Sequence, residues 1–379
     1  MRILSNSKKN IVCLSSWYPS EKQPFLGNFI QRQIELLGTK YAIQFVQTLA
    51  VADQKTIEVT HVICNNYTEI TATYPAVRSK LLKKYYQTKA LKKALQTILQ
   101  PDLLLTYIFL PKIWQFLLLK KQLNIPWIHI EQGSYFRKEI QSNWNILQRF
   151  WIKKAYQQVD TLLAASDFLA RDMKVVDSTR TIKRVKNHID TKLFSYKAKE
   201  IRSITHFLHV STLDKHTKNP KGMFDAMHLL SETTTAFLFT IVSDEPTHEW
   251  ESYVTKLGIA KNVRFIAPQK WEQLPAFYHE ADAFILNSIY ETFSIVLAEA
   301  WATGTPTIST SVGIAFNAPE FLGLHVESNN TESLAAALLT FIATKDQYDT
   351  AKISDYAQQY NAELVLTELE SEIDQLITT

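Results

Sequence analysis

AFILNSIYETFSIVLAEAWATGTPTISTSVG, residues 283 to 313, is the stretch on which the reading of this chain turns. It opens with an apolar run, Ala283 to Leu286, closed by Asn287 and Ser288, which predicts a short buried strand. After a loop, Ser294 stands one residue before Ile295 to Ala302, a run of helix formers that stops at Thr303-Gly304. The spacing predicts an N-cap, two turns of helix and a glycine stop. Thr305 to Val312 reads as a second strand. Strand, loop, helix and strand make a parallel crossover unit, and its loop lies at the carboxyl end of the sheet, where open α/β folds bind ligands. The N–H groups of Ser294, Ile295 and Val296 point out of the helix start, where the dipole favours an anion such as phosphate. Glu291 and Glu299 flank the place and would repel a phosphate. Their use there is to accept hydrogen bonds from hydroxyls, which means sugar or ribose. An ordinary solvated helix residue is the plain alternative for Glu299, but Val296, Leu297, Ala298, Ala300 and Trp301 around it are apolar, and an unpaired acid among them is costly.

Glu291, seven residues, then Glu299, followed by AWATGTP and Gly313, resembles the E-x7-E signature of the retaining glycosyltransferases of family 4. The resemblance implies an α/β chain of the GT-B fold, with two Rossmann-like domains facing across a cleft. On that pattern residues 1–190 form an acceptor-binding domain, 191–203 a linker, 204–350 a nucleotide-sugar-binding domain, and 351–379 a helical segment returning to the first domain.

Length and composition agree with two globular domains. The chain has 379 residues, 46% of them apolar and 21% charged, too many for one ordinary core and too apolar for a disordered chain. Cys13 and Cys64 lie in apolar, strand-like runs without C-x-x-C spacing, so the expectation is buried thiols in a reducing compartment, with no disulfide or zinc site. The net charge of +4 hides a division. Residues 1–190 carry 28 Lys and Arg against 13 Asp and Glu, and the remainder 13 against 24, so the two halves suit different partners. No acid occurs between Glu69 and Asp102, where Arg78, Lys80, Lys83, Lys84, Lys89, Lys92 and Lys93 alternate with Leu81, Leu82, Tyr85, Tyr86 and Leu91. This reads as a basic amphipathic helix, with two meanings left open: a solvated helix face, or a patch lying on anionic lipid headgroups. No nucleic-acid module accompanies the charge, so nucleic acid is not an expected partner. The amino terminus, MRILSNSKKN, lacks the apolar core of a signal peptide. Leu103 to Leu119 is interrupted by Pro111, Lys112 and Gln115 and reads as a strand and a helix, not a membrane span. The expected location is cytoplasmic, with peripheral contact at the inner face of the membrane if the basic helix binds lipid.

Along the rest of the chain, Asn10 to Ser16 reads as the first strand, with further strands at Ala42 to Thr48, Ile57 to Cys64, Asp102 to Phe109 and Pro126 to Ile130. Gly27, before the first helix, is either a plain turn glycine or a place where backbone approaches a ligand closely. Trp17-Tyr18-Pro19 and the stretch from Pro24 to Asn28 resemble the opening of bacterial family members, in which this region lies by the acceptor. Gln132 stands where relatives commonly carry a histidine near the transferred sugar; it can hydrogen-bond but not titrate. Arg184 to Phe194 resembles the family segment that closes the first domain, keeping Asn187, Asp190 and Phe194. After the strand Phe207 to Ser211, relatives show an arginine and a lysine that hold the donor diphosphate. Here the lysine matches Lys218, with Lys221 as a competitor, and Thr212 occupies the arginine position. Arg264, after the strand Phe237 to Glu245 and its helix, would either help hold the base or form a sheet-edge ion pair.

The resemblance therefore implies a retaining, metal-independent glycosyltransferase acting on a UDP- or GDP-linked sugar, with a saccharide or lipid-linked acceptor, in cell-surface polysaccharide or glycolipid synthesis. Glu299 would bind ribose hydroxyls and Glu291 those of the transferred sugar. Thr292, Phe293, Ser294 and Ile295 would give amides to sugar and phosphate, and Lys218 would stabilise the departing diphosphate. No D-x-D triplet or paired-histidine spacing marks a metal site, and no cofactor is expected. Two alternatives remain: a non-catalytic nucleotide-sugar-binding or scaffold protein, which Thr212 permits, and a nucleotide-sugar epimerase, against which Gln132 argues.

Overall fold

The structure is a computed structural model and describes residues 8–20, 23, 26–200 and 202–377. Met1 to Ser7, Glu21, Lys22, Pro24 and Phe25 of the acceptor-side loop, and Ile201 of the expected linker lie outside the described residues. The chain divides into two compact units. One comprises Met1–Ala165, Ala170–Val185 and Leu366–Thr379, the other Ser166–Leu169 and Lys186–Val365. Residues 191–203 thus fall within the second unit.

The first unit is built on an eight-stranded sheet: β1 (Asn10–Ser15), β2 (Ala42–Val51), β3 (Glu58–Ile63), β4 (Tyr67–Pro75), β5 (Leu103–Tyr107), β6 (Trp127–Glu131), β7 (Thr161–Ala164) and β8 (Lys183–Arg184). Their order is β3-β4-β2-β1-β5-β6-β7-β8, parallel except that β3 runs antiparallel to β4. All five residues of β5 and of β6 are buried, the polar Thr106, His129 and Glu131 included, because crossover helices cover both faces of a parallel sheet. The helices are α1 (Asn28–Leu37), α2 (Lys80–Leu95), α3 (Ile113–Leu123), α4 (Lys138–Ser142) and α5 (Ile146–Gln158), followed by α6 (Asp167–Met173).

Two features of this unit correct the sequence reading. β4 is not among the expected strands. Its buried Ile70, Ala72 and Tyr74 alternate with half-buried Glu69, Thr71 and Thr73, a two-residue period that the polar side chains dilute. The segment Arg78 to Lys93 does form α2, but the expected apolar face is absent: Leu81, Leu82 and Tyr85 are exposed beside the lysines, and only Ala90, Leu91 and Ala94 are buried. The buried residues of α2 all lie in its carboxyl half, and the apolar side chains of its first turns stay exposed. Cys13 is buried, with its thiol pushed well above the usual range by burial, whereas Cys64 is half-buried; both are free.

The second unit holds six parallel strands, β9 (Thr205–Val210), β10 (Phe237–Val242), β11 (Val263–Ile266), β12 (Ala283–Leu286), β13 (Thr307–Thr310) and β14 (Gly323–Val326), in the order β11-β10-β9-β12-β13-β14. β14, a short and half-polar edge strand, and the two-residue β8 of the first unit are likewise not expected from sequence. The crossover helices are α7 (Pro220–Ser231), α8 (His248–Lys256), α9 (Leu274–Glu280), α10 (Ile295–Ala302) and α11 (Thr331–Thr344), and α12 (Thr350–Ala357) packs on α10. Phe207, Met223, Phe224, Phe239, Ile285 and Leu334 lie in its core, each contributing about 1.5–3 kcal/mol of transfer free energy. The strand order reverses between β9 and β12. That switch point leaves a crevice outside their carboxyl ends, the usual ligand position in such sheets.

The last helix, α13 (Ala362–Ile377), carries residues of the first unit from Leu366 onward. There Tyr41 Oη donates to Asp374 at 2.8 Å, and Lys183 pairs with Glu372 at 2.7 Å. Among the described residues no helix is long and apolar enough to cross a membrane.

Candidate functional site

Two loops meet at the switch point of the second sheet. After β9, Asp214 caps the turn of the first loop, its Oδ1 accepting from the amides of His216 at 3.1 Å and Thr217 at 2.8 Å. Asn219, in the left-handed region, then caps α7 through the amide of Gly222. After β12, the second loop is tied to the first by the Ile289 amide, which donates to the Thr217 carbonyl at 2.7 Å. Thr310 anchors it from β13, its hydroxyl donating to the Ser288 carbonyl at 2.6 Å.

These ties bring Lys218 and Glu291 together as an ion pair. Glu291 Oε1 also accepts from the Ser288 hydroxyl at 2.7 Å. Both charged side chains are mostly buried yet keep a solvent-facing part. Thr212 is exposed in the same loop.

The start of α10 differs from a capped helix in a telling way. Ser294 occupies the N-cap position, but its φ of 78° and ψ of 69° are left-handed and its side chain makes no capping bond. This corrects the expected N-cap. Its hydroxyl is buried and finds no hydrogen-bond partner among the described residues, a state that ordinarily costs about 1–3 kcal/mol. Gly313, with φ of 55°, lies against it: a Cβ there would meet the Phe293 carbonyl oxygen at 2.4 Å and Ser294 Oγ at 2.8 Å. In the first turn of α10 the Leu297 amide donates to the Ser294 carbonyl at 3.1 Å, whereas the amides of Ile295 and Val296 lie ahead of the intrahelical ladder. Backbone donors, an uncommitted hydroxyl and a nearby ammonium make a site suited to phosphate.

Glu299 is only 3% exposed. Its carboxylate accepts from Trp271 Nε1 at 2.9 Å and from the hydroxyl of buried Tyr278 at 3.0 Å. The acid is thus partnered, not solvated. Arg264 takes the sheet-edge alternative: on edge strand β11 it pairs with Glu280 at 3.3 Å.

Sequence reasoning missed His209. It is fully buried in β9; its Nδ1 lies 2.8 Å from the Ile285 carbonyl and its Nε2 2.7 Å from Ser211 Oγ. A carbonyl only accepts, so Nδ1 carries the proton and Nε2 accepts from Ser211. Ser211 Oγ in turn accepts from the Leu213 amide at 3.0 Å, which fixes the start of the loop carrying Lys218. Burial, helped by the Lys218 charge, pulls the His209 pKa down to about 4. Ser288 was also missed. A polar residue directly after a fully buried strand is the signal that marks it, as it marks Asn287.

In the first unit, Gly27 has a φ of 75°, and a Cβ there would meet the Trp17 backbone at 2.9 Å; that close approach alone requires the glycine. Gln132 is buried, and its Nε2 donates to Gln33 at 3.4 Å. Beside it Glu131, also missed, is fully buried and accepts from the amides of Gln132 at 2.9 Å, Gly133 at 2.7 Å and Phe109 at 3.1 Å. Among the described residues no cluster of three or more His, Cys, Asp or Glu is placed to hold a metal ion.

Comparison with known proteins points the same way. The family model described as "Glycosyl transferases group 1" matches residues 198–360, and that of "Glycosyltransferase Family 4" matches residues 41–193. D-inositol 3-phosphate glycosyltransferase of Corynebacterium urealyticum is 35% identical over 114 residues, 30% of this chain and 26% of the relative. MMP alpha-(1->4)-mannosyltransferase of Mycolicibacterium hassiacum is 25% identical over 198 residues, 52% of this chain and 47% of the relative. The chain thus spans less than half the length of either curated relative. Among solved structures, sucrose-phosphate synthase from Thermosynechococcus elongatus superimposes with a TM-score of 0.79 at 19% identity, over 98% of this chain and 100% of that one.

Proposed function

We propose, for a chain that has the GT-B fold and is related to the family 4 nucleotide-sugar transferases, that it is a retaining glycosyltransferase moving a sugar from a UDP- or GDP-linked donor to an acceptor hydroxyl. The observation that carries the reading is the grouping at the start of α10. The Lys218–Glu291 pair, the partnerless Ser294 hydroxyl and the start of α10 lie on the two loops of the switch point.

In this reading the diphosphate sits on the amides of Thr292 to Ile295 and on the Ser294 hydroxyl. Lys218 leaves Glu291 in part to meet the charge that grows on the β-phosphate as the anomeric C–O bond breaks. Glu291 holds hydroxyls of the transferred sugar, and Glu299 accepts from ribose hydroxyls. The acceptor hydroxyl attacks the anomeric carbon from the leaving-group side, and its proton passes to the departing phosphate oxygen, so no separate base is required. Positive charge for the leaving group comes from Lys218 and the helix amides, which is why the reading is metal-independent. The first unit, with Gly27 and Gln132, takes the acceptor, a saccharide or lipid-linked hydroxyl of cell-surface polysaccharide or glycolipid synthesis. The basic segment Arg78 to Lys93 brings the chain peripherally to an anionic membrane.

A thermal-shift panel of UDP- and GDP-sugars, followed by donor hydrolysis and transfer assays, tests the proposal. Stabilisation by one donor class is expected, since a ligand selective for the folded state raises its apparent stability. Thr212, exposed and neutral where relatives carry an arginine, favours a non-catalytic donor-binding protein as the second reading. Donor binding without hydrolysis or transfer would select it.

A further inference from the structure

Six large apolar side chains stand exposed on two neighbouring helices of the first unit. On α2 they are Leu81, Leu82 and Tyr85, at 83%, 51% and 55% exposure; on α5 they are Ile146, Leu147 and Phe150, at 84%, 65% and 54%. Isolated exposed leucines need no explanation, but three large ones together at the start of each of two linked helices do.

One lysine links the two helices that carry them. Lys84 Nζ, on α2, lies 5.3 Å from the ring of Trp114 on α3 and 6.0 Å from that of Trp151 on α5. Lys154, one turn on from Phe150, lies 5.9 Å from that ring and 5.5 Å from Trp151. Both helices are firmly started, α2 by the Ser79 side chain and α5 by a capping box of Asn145 and Gln148. Their exposed first turns are therefore rigid features. Neither helix contains an Asp or a Glu, and the whole stretches between Glu69 and Asp102 and between Glu139 and Asp160 are free of acids.

We infer that the first turns of α2 and α5 together form a lipid-docking face, with Ile146, Leu147 and Phe150 entering the acyl boundary while the lysines of both helices engage anionic headgroups. This deepens the peripheral-membrane reading, which named α2 alone, and rests on the first unit only. Charge selects the partner: two helices that carry lysines and no acid favour a dense negative surface. The apolar residues select a lipid over a soluble acidic protein, because they lie between the lysines instead of in a separate pocket. Lysines with long apolar stems and aromatic rings beneath them are suited to the headgroup level, where one end is dry and the other wet.

Co-flotation of the full chain with vesicles tests it, using phosphatidylcholine alone and phosphatidylcholine with one third phosphatidylglycerol. The wild type should float with the anionic vesicles only, and raised salt should weaken that binding. Combining Ile146→Ser, Leu147→Ser and Phe150→Ser should cut partitioning by roughly tenfold or more at low salt. Lys80→Gln and Lys83→Gln should each cut it by about fivefold. All five residues are exposed, and near-UV circular dichroism with donor-induced thermal shift reports that the variants remain folded. Wild-type binding by the triple serine variant would overturn the inference, as would equal binding to neutral vesicles. So would failure to float at all while immobilised poly-glutamate captures the chain, which would make the face a protein-binding one. Vesicle binding without any donor-induced shift would count against the proposed function and leave the docking face standing.

Discussion

Lys218 and Glu291 lie 73 residues apart in sequence and close an ion pair outside the carboxyl ends of β9 and β12. Because Glu291 also holds the Ser288 hydroxyl, an arriving diphosphate can draw the ammonium away without leaving the carboxylate unpartnered. Lys218→Ala should therefore fold normally and lower turnover by about two to three orders of magnitude, the usual cost of removing one preorganised charge stabiliser. Single-turnover transfer by the purified variant measures this. Near-normal turnover would remove Lys218 from the chemistry.

Glu299 and its two donors behave differently, since the acid is nearly inaccessible and serves the packing of Trp271 and Tyr278 as well as any ligand. Glu299→Ala leaves two donors unmatched and should lower stability by about 2–4 kcal/mol. Glu299→Gln keeps one acceptor and the shape, and should retain most of the stability while raising the donor KM. Urea unfolding of both variants beside donor titration separates the roles. Equal loss of stability in the two would mean that the carboxylate charge itself holds the fold.

Much of this was legible in the sequence where local pattern and burial coincide. Ala283–Leu286 and Ile295–Ala302 form the strand and helix that their apolar runs announce, because a strand buried on both faces and a helix closed by glycine leave little choice. β4 and β14 were illegible for the opposite reason: one face or one end is wet, and polar residues break the run. The pairing of Lys218 with Glu291 depends on two loops closing over the sheet, which no local spacing encodes. The same holds for Trp271 on Glu299, which looks like an ordinary loop aromatic until α9 brings it back. Arg78 to Lys93 shows the limit of composition: its charges were read correctly, but the apolar residues of its first turns face water, since the buried residues of the helix all lie in its carboxyl half.

Gly313 offers a test of the α10 entrance that leaves the charged residues in place. A methyl group there would press on the Phe293 carbonyl and on Ser294 Oγ, at a φ that L side chains rarely adopt. Gly313→Ala should cost about 1–2 kcal/mol of stability from backbone strain and abolish or severely weaken donor binding by displacing Ser294. Isothermal titration with the stabilising nucleotide sugar checks it. Wild-type affinity in this variant would show that the Ser294 position does not contact the donor.

His209 predicts a pH dependence whose sign follows from its burial. Its folded pKa of about 4 lies below the ordinary histidine value of 6.5, so between these values the unfolded chain binds the extra proton. Stability must then rise with pH through that window and fall as the solution is acidified from pH 6.5 towards 4, by at most about 3 kcal/mol for this residue. His209→Gln can donate to the Ile285 carbonyl and accept from Ser211, keeping the loop in place while removing the titration. Other buried histidines contribute to the total, so the informative quantity is the difference in slope between wild type and variant, from urea unfolding at pH 7 and 4.5. The variant should lose less stability on acidification, and identical losses would show that the imidazole of His209 is not a source of the dependence.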